Sequence, residues 1–232
     1  MSFLTAPYRR SAYAMLSGRG LEIGALNKPS PVPPAAQVEY FDAMTAEDAR
    51  QLFPEIGDDA FVSVDHLGEL DHDGLAQFED QTFEFVILSH VIEHVANPIR
   101  VLAECFRILR PNGLLLIAVP DKRYTYDRDR ALTTFDHLWA DYENGVTEND
   151  DEHYLDFLRH VGPHVFDEPA EYLPGHIVTV RRRREHAHVW DSGSWRAMFD
   201  QATARLGITA SCEVESPGSE NHFEYFGAWR KR

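Results

Sequence analysis

Phe83-Glu-Phe-Val-Ile-Leu-Ser-His-Val-Ile-Glu-His-Val95 is an apolar run that breaks, within two residues, into a helix start carrying two histidines and a glutamate. The run reads as a buried strand, and open α/β sheets present their chemistry at the C-terminal ends of such strands. Working outward, Leu21–Ile23, Val38–Phe41 and Phe61–Val64 precede it and Leu114–Val119 follows it, each closed by Gly, Asp, Ser or Pro. Strands alternating with helical or irregular segments predict a parallel sheet with crossovers. One crossover is plain in Asn97-Pro-Ile-Arg-Val-Leu-Ala-Glu-Cys-Phe-Arg-Ile-Leu-Arg110. Asn97 can cap, Pro98 fits the first turn, and Ile99, Leu102, Phe106 and Leu109 fall on one face, with Pro111-Asn-Gly113 as the stop.

The chain has 232 residues, 44% of them apolar, which suffices for one well-cored domain over 1–232 with room for an insertion. With 38 acidic against 22 basic residues and a formal charge of -16, it offers no broad phosphate-neutralising face, so no nucleic-acid partner is expected. Two cysteines, Cys105 and Cys212, and an N-terminus without a signal-peptide pattern point to a reducing cytoplasm. No apolar run approaches the roughly 20 residues a membrane-spanning helix needs, so no membrane partner is expected either. Within the domain, 1–19 reads as an N-terminal cap and 20–120 as the sheet. Residues 121–185, rich in His, Asp, Tyr and Arg, read as a partly helical, mobile insertion over the sheet's active edge. Residues 186–232 supply a helix over Ser194–Leu206, capped from Asp191 or Ser192, and a hairpin of Ile208–Glu215 with Phe223–Trp229 joined by Ser216-Pro-Gly-Ser.

Five parallel strands before a hairpin, with the first closing in Gly20-Leu-Glu-Ile-Gly-Ala-Leu26, resemble the class I S-adenosylmethionine-dependent methyltransferases. Over 18–120 the resemblance implies a Rossmann-like, mostly parallel seven-stranded sheet with a C-terminal antiparallel hairpin and a lid insertion. It implies S-adenosylmethionine as cofactor, with Glu22, Gly24 and Ala25 at the turn after the first strand and Asp42 on the ribose hydroxyls. Leu67, Gly68 and Glu69 would border adenine, and Ser89 and His90 the methionine end. The chain departs from the family's usual glycine-rich turn: Gly24 is followed by Ala25-Leu-Asn-Lys-Pro-Ser-Pro-Val-Pro-Pro34, and four prolines in so short a stretch forbid a helix. An irregular loop is expected there, with Asn27 or Lys28 near the cofactor carboxylate and Arg9 and Arg10 candidates to close over it.

A second resemblance lies in Val119-Pro-Asp-Lys-Arg-Tyr-Thr-Tyr-Asp-Arg-Asp-Arg130, Leu132-Thr-Thr-Phe-Asp-His-Leu138 and His186-Ala-His-Val-Trp190. These are similar to methyltransferases of glycan assembly, including enzymes that O-methylate mannosides of methylmannose polysaccharide. The implied acceptor is a small molecule or oligosaccharide. Tyr124, Tyr126, His188 and Trp190 are candidate acceptor contacts, since rings stack on sugar C–H faces and polar groups meet hydroxyls. Each of these, with Trp139, equally suits packing.

Methyl transfer to a hydroxyl needs in-line alignment and a proton acceptor. His137 is the first candidate base, with His94 and Asp121 alternatives, against a plain surface role for His137. His90, Glu93 and His94, at i, i+3 and i+4, together with Asp121, could hold a divalent ion such as magnesium. Imidazole donors leave manganese, zinc or no ion open. The same residues satisfy His-x-x-Glu-His, the inverted zinc-peptidase signature, which requires one continuous helix; Asn97-Pro98 stands against it. Arg181–Arg184 could grip an anion or run along solvent. The reading is an O-methyltransferase of a sugar hydroxyl, with a small-molecule N- or O-methyltransferase and a cofactor-binding module without turnover as alternatives, and a homodimer as the oligomeric expectation.

Overall fold

The computed structural model describes residues 3–57 and 61–232; residues 1 and 2 of the expected cap lie outside them. The apolar runs assemble into one sheet of β1 (Gly18–Ile23), β2 (Ala36–Asp42), β3 (His66–Leu67), β4 (Phe83–Ser89), β5 (Leu109–Pro120), β6 (Ala210–Ser216) and β7 (Glu224–Lys231). The order is β3-β2-β1-β4-β5-β7-β6. β1 to β5 pair in parallel, and β7 lies antiparallel between β5 and β6. This is the expected mixed sheet, mostly parallel and ending in an antiparallel pair.

Strand residues alternate between faces, and the central strands are apolar on both. Val86 and Leu88 of β4, with Leu115, Ile117 and Val119 of β5, join one core; Phe85 and Ile87, with Leu114, Leu116 and Ala118, join the other. The first core is covered by α3 (Pro98–Ile108) through Ile99, Leu102 and Phe106, and by α7 (Ser192–Arg205) through Trp195, Met198 and Phe199. The second is covered by α1 (Pro7–Tyr13) through Ala12 and Tyr13, and by Leu16 just after it. The predicted caps hold: Asn97 accepts from Arg100 N at 3.0 Å, and Asp191 accepts from Ser194 N at 2.7 Å. A buried Phe106 implies that truncation to alanine costs about 3–5 kcal/mol.

Three expectations are corrected. The third strand is not Phe61–Val64 but the two-residue β3; Val62 N donates to Leu26 O at 2.8 Å, tying that run to the loop after β1 rather than to β2. No helix starts at His90: residues 91–95 form a turn, and α3 begins only at Pro98. The C-terminal strands are joined by a short helix, α8 (Gly218–Asn221), rather than by a tight turn.

Between β2 and β3 lies α2 (Ala46–Leu52). The insertion folds into α4 (Phe135–Asn144), α5 (Asp151–Val161) and α6 (Leu173–Arg182). It has a small core of its own, where Phe157, Leu158 and Val165 meet Leu173, Ile177 and Val180. No helix among the described residues is long and apolar enough to cross a membrane.

Candidate active site

At the C-terminal ends of β1, β2 and β4 the sheet opens into a cavity of about 290 Å³ lined by Gly24, Asp42, Gly68, Glu69, His90 and His94 among others. Two glycines let its walls close in. Gly24 has φ 69°, and a Cβ there would stand 2.6 Å from Val91; a Cβ on Gly68 would stand 2.7 Å from the Phe41 ring. Asp42 caps the turn after β2, accepting from Met44 N at 3.3 Å. Burial raises its pKa, with backbone N–H groups working against that rise.

Arg183, Arg184 and Glu185 roof the cavity. Arg183 pairs with Glu55, donates to Leu52 O at 3.1 Å and lies over the Phe53 ring. Arg184 pairs with Glu69 on the opposite wall and lies 3.7 Å from Asp71. Arg181 pairs with Asp151 at 2.5 Å. Arg183 and Arg184 therefore clamp the insertion across the cavity, Arg181 braces it internally, and Arg182 is exposed.

His90 ends β4 in the left-handed region, φ 56°, a strained conformation for a residue with a Cβ. The turn sets its Nε2 2.7 Å from Glu224 Oε2 and its Nδ1 3.5 Å from Glu93 Oε1. Burial pushes its pKa down, but the two carboxylates outweigh burial and raise it to about 9, so His90 is an imidazolium at neutral pH. Glu224 also accepts from Arg9 Nε at 2.7 Å, Arg9 Nη2 at 2.6 Å and Tyr8 OH at 2.9 Å. Burial would raise the Glu224 carboxyl, yet His90 and Arg9 bring it down to about 2.

His94 is the opposite case. Its Nδ1 donates to Arg184 O at 2.5 Å, so the neutral ring carries its lone pair on Nε2, 3.7 Å from Glu93 Oε1. Burial lowers its pKa to about 4, with Glu93 opposing. Glu93 is 1% exposed and, among the described residues, has no hydrogen bond of good geometry to either oxygen. His186 Nε2 lies 3.9 Å from it, accepts from Tyr126 OH at 2.9 Å, and its Nδ1 donates to Asp127 at 2.6 Å. Burial alone would raise Glu93; His90, His94 and His186 hold it below the usual carboxylate range. The cavity lining therefore includes a neutral imidazole beside a buried anion.

A family model described as a methyltransferase domain matches residues 17–204. The chain belongs to that family. A probable S-adenosylmethionine-dependent methyltransferase of Mycolicibacterium smegmatis is 28% identical over 98 residues, 41% of this chain and 34% of that one. A ubiquinone biosynthesis O-methyltransferase of Parvibaculum lavamentivorans is 47% identical over 65 residues, 28% of this chain and 23% of that one. The chain thus spans about a third and a quarter of these curated relatives. Among solved structures, one described as a putative Zn-dependent alcohol dehydrogenase from Rhodobacter sphaeroides superposes with TM-score 0.51 at 16% identity, over 98% of this chain and 90% of that one, a likeness of fold.

In this methyltransferase domain the expected cofactor residues divide. Gly24, Asp42, Gly68, Glu69 and His90 line the cavity, as does Leu26. Glu22 faces the proline-rich loop instead, accepting from Ser30 N at 3.0 Å, which fixes that irregular segment. Ala25 is buried beneath the cavity lining, Leu67 is 55% exposed, and Ser89 accepts from Arg9 at 3.1 Å. Asn27 and Lys28 stand outside the lining, where Lys28 N donates to Ala25 O at 2.8 Å. Arg9 is buried against the Glu224 carboxylate and lies outside the cavity lining, and Arg10 donates to Thr5 O at 2.7 Å.

Of the expected ion ligands, His90 and His94 both approach Glu93, but the four do not form one set of donors. Asp121 is fully buried and committed to Arg123 at 2.6 Å and to Ser192 Oγ at 2.7 Å, so it anchors α7. His90 is committed to Glu224, and Glu93 with His94 groups with His186. The turn at 91–95 also removes the continuous helix that the peptidase signature requires. His137 lies away from the cavity, with His153 and His188.

Of the acceptor candidates, Trp190 is 1% exposed in the main core and cannot stack on a sugar. His188 is likewise buried. Tyr124 packs edge-on against His222, while Tyr126 is 51% exposed with its hydroxyl on His186. Trp139 stacks on Phe135 beneath Arg205. Glu224, absent from the sequence expectations, is the charged centre under the cavity floor. Its signal was only an acid at the start of the last strand.

Proposed function

We propose that this domain transfers a methyl group from S-adenosylmethionine to a hydroxyl of a sugar or oligosaccharide such as a mannoside. The observation that carries the reading is one cavity whose lining brings Gly24, Asp42, Gly68 and Glu69 together with His94. The residues suit the cofactor: the glycine walls admit backbone closely, and the Asp42 carboxylate takes its hydrogen bonds from backbone N–H groups, leaving acceptor capacity for two ribose hydroxyls. Glu69 and Leu70 border the adenine end.

When bound, S-adenosylmethionine supplies an electrophilic methyl on its sulfonium. The chain's own work is to orient and to accept a proton. The Arg183–Glu185 roof excludes water, and Asp42 fixes the ribose. His94 Nε2 removes the acceptor's hydroxyl proton, and Glu93 stabilises the imidazolium so formed. In this proposal His94 takes the role first expected of His137, because only His94 lines the cavity. The exposed Tyr126 ring beside His186 offers the acceptor a stacking surface.

A phenolic acceptor is the second reading, favoured by the local similarity to a ubiquinone biosynthesis O-methyltransferase. Purified chain incubated with S-adenosylmethionine and a panel of mannosides, phenols and amines, with products read by mass spectrometry, separates the two. Methylated mannosides are expected. Methylation confined to phenols or amines would overturn the sugar reading.

A further inference from the structure

His137, His153 and His188 come from three separate segments, α4, α5 and the strap before α7, yet one nitrogen from each lies within 4.8 Å of the other two. The pair distance between His137 Nε2 and His153 Nε2 is 3.1 Å. Tetrahedral zinc with Zn–N of about 2.0–2.1 Å spaces neighbouring donors about 3.3–3.4 Å apart. His188 is 1% exposed, and among the described residues neither of its ring nitrogens has a hydrogen bond of good geometry.

Two further features orient the set. His153 Nδ1 donates to Asp150 Oδ1 at 2.7 Å, which leaves the lone pair of the neutral ring on the Nε2 that faces His137. A carboxylate behind an imidazole in this way is how metal-bound histidines are held and made more basic. Asp141, one turn beyond His137 on α4, places Oδ2 3.2 Å from His137 Nε2, which holds that ring from its own helix. Without a cation, three imidazoles crowd together with one ring unsatisfied in the interior, an arrangement that burial penalises.

We propose that His137, His153 and His188 bind one zinc-class ion that fastens the insertion to the sheet. The site is separate from the methyl-transfer cavity and does not rest on that reading. The imidazole-rich donor set selects zinc or cobalt over magnesium. Because the ligands are 16 and 35 positions apart, the ion closes two loops of the insertion at once. Asp150 is a positioning residue: its carboxylate holds the His153 ring and also caps α5 through backbone N–H groups of Glu152 and His153.

Full-length chain is stripped with chelator and titrated with zinc chloride, with retained metal counted by plasma mass spectrometry after gel filtration. One equivalent is expected, together with a rise in Tm. Substituted cobalt should give the intense visible absorption of a tetrahedral site. The His137→Ala/His153→Ala variant, its fold checked by circular dichroism, should bind at least about 100-fold more weakly, and Asp150→Ala about 10- to 100-fold more weakly. The Asp150→Ala arm, at a carboxylate remote from the core, keeps the test decisive if the double variant does not fold. Failure to take up stoichiometric zinc would overturn the proposal. So would unchanged affinity in these variants with loss in Glu93→Gln, which would place the ion at Glu93, His94 and His186 instead.

Discussion

Glu224, the first residue of β7, closes a fully buried ion pair with Arg9 of α1, 215 residues earlier in the chain. The same carboxylate holds His90 at 2.7 Å, so one anion pairs with two cations, and Glu93 lies 3.5 Å from the other His90 nitrogen. The pair fixes α1 to the strand that ends the sheet, and it fixes the histidine that ends β4.

Removing one partner leaves the other charge buried. Arg9→Ala should cost about 3–5 kcal/mol of unfolding free energy, read by urea titration, because Glu224 loses its bidentate guanidinium. Arg9→Met combined with Glu224→Gln, which removes both charges, should cost less than Arg9→Ala alone.

Stability should peak between pH 6 and 7. His90 has its pKa raised from 6.5 to about 9, so its stabilisation is complete below the unfolded value and is lost as pH rises through 9. His94 has its pKa lowered from 6.5 to about 4; the unfolded chain then binds the extra proton, and stability falls as pH drops from 6.5 towards 4. Glu224, lowered from 4.5 to about 2, withdraws its contribution only as pH falls from 4.5 through 2. Tm against pH reads this directly, and Glu224→Gln should flatten the alkaline limb.

The proposed role of proton acceptor requires a neutral His94, which its lowered pKa provides above about 4. The kcat profile should therefore show no acidic limb near 6.5. His94→Ala should lower kcat by roughly 100- to 10,000-fold while cofactor affinity changes by only a few-fold. His137→Asn should lower kcat less than about tenfold, a contrast that separates the two candidate bases.

The sheet was legible because its evidence is local. Phe83–Ser89 and Pro98–Ile108 carry their periodicity and caps within a few residues. β3 was misplaced because Phe61–Val64 has the composition of a strand, while a two-residue pairing leaves no period to read. Asp42, Gly68 and Glu69 were expected near one another from their places at strand ends, and the fold brings them to one cavity. Glu22 was misjudged because only the structure shows Ser30 N taking both carboxylate oxygens. Glu224 with Arg9, and His137 with His153 and His188, are contacts between distant segments that no spacing rule encodes.

Opening the roof should weaken retention more than it alters chemistry. Arg184→Ala removes the pairing with Glu69, which is partly exposed and worth at most about 1 kcal/mol. Cofactor dissociation measured by stopped flow should accelerate by a few-fold, with kcat at saturation nearly unchanged.

The central claim is that the cavity floored by Gly24 and roofed by Arg184 holds the methyl donor, with Asp42 on its ribose. Calorimetric titration of S-adenosylhomocysteine into wild-type and Asp42→Ala chains tests it most directly. One molecule should bind per wild-type chain, and the loss of a charged hydrogen-bond acceptor should weaken binding by about 1.5–3 kcal/mol, roughly 10- to 100-fold. Equal affinity in a folded Asp42→Ala chain, or no binding to the wild type, would contradict the account.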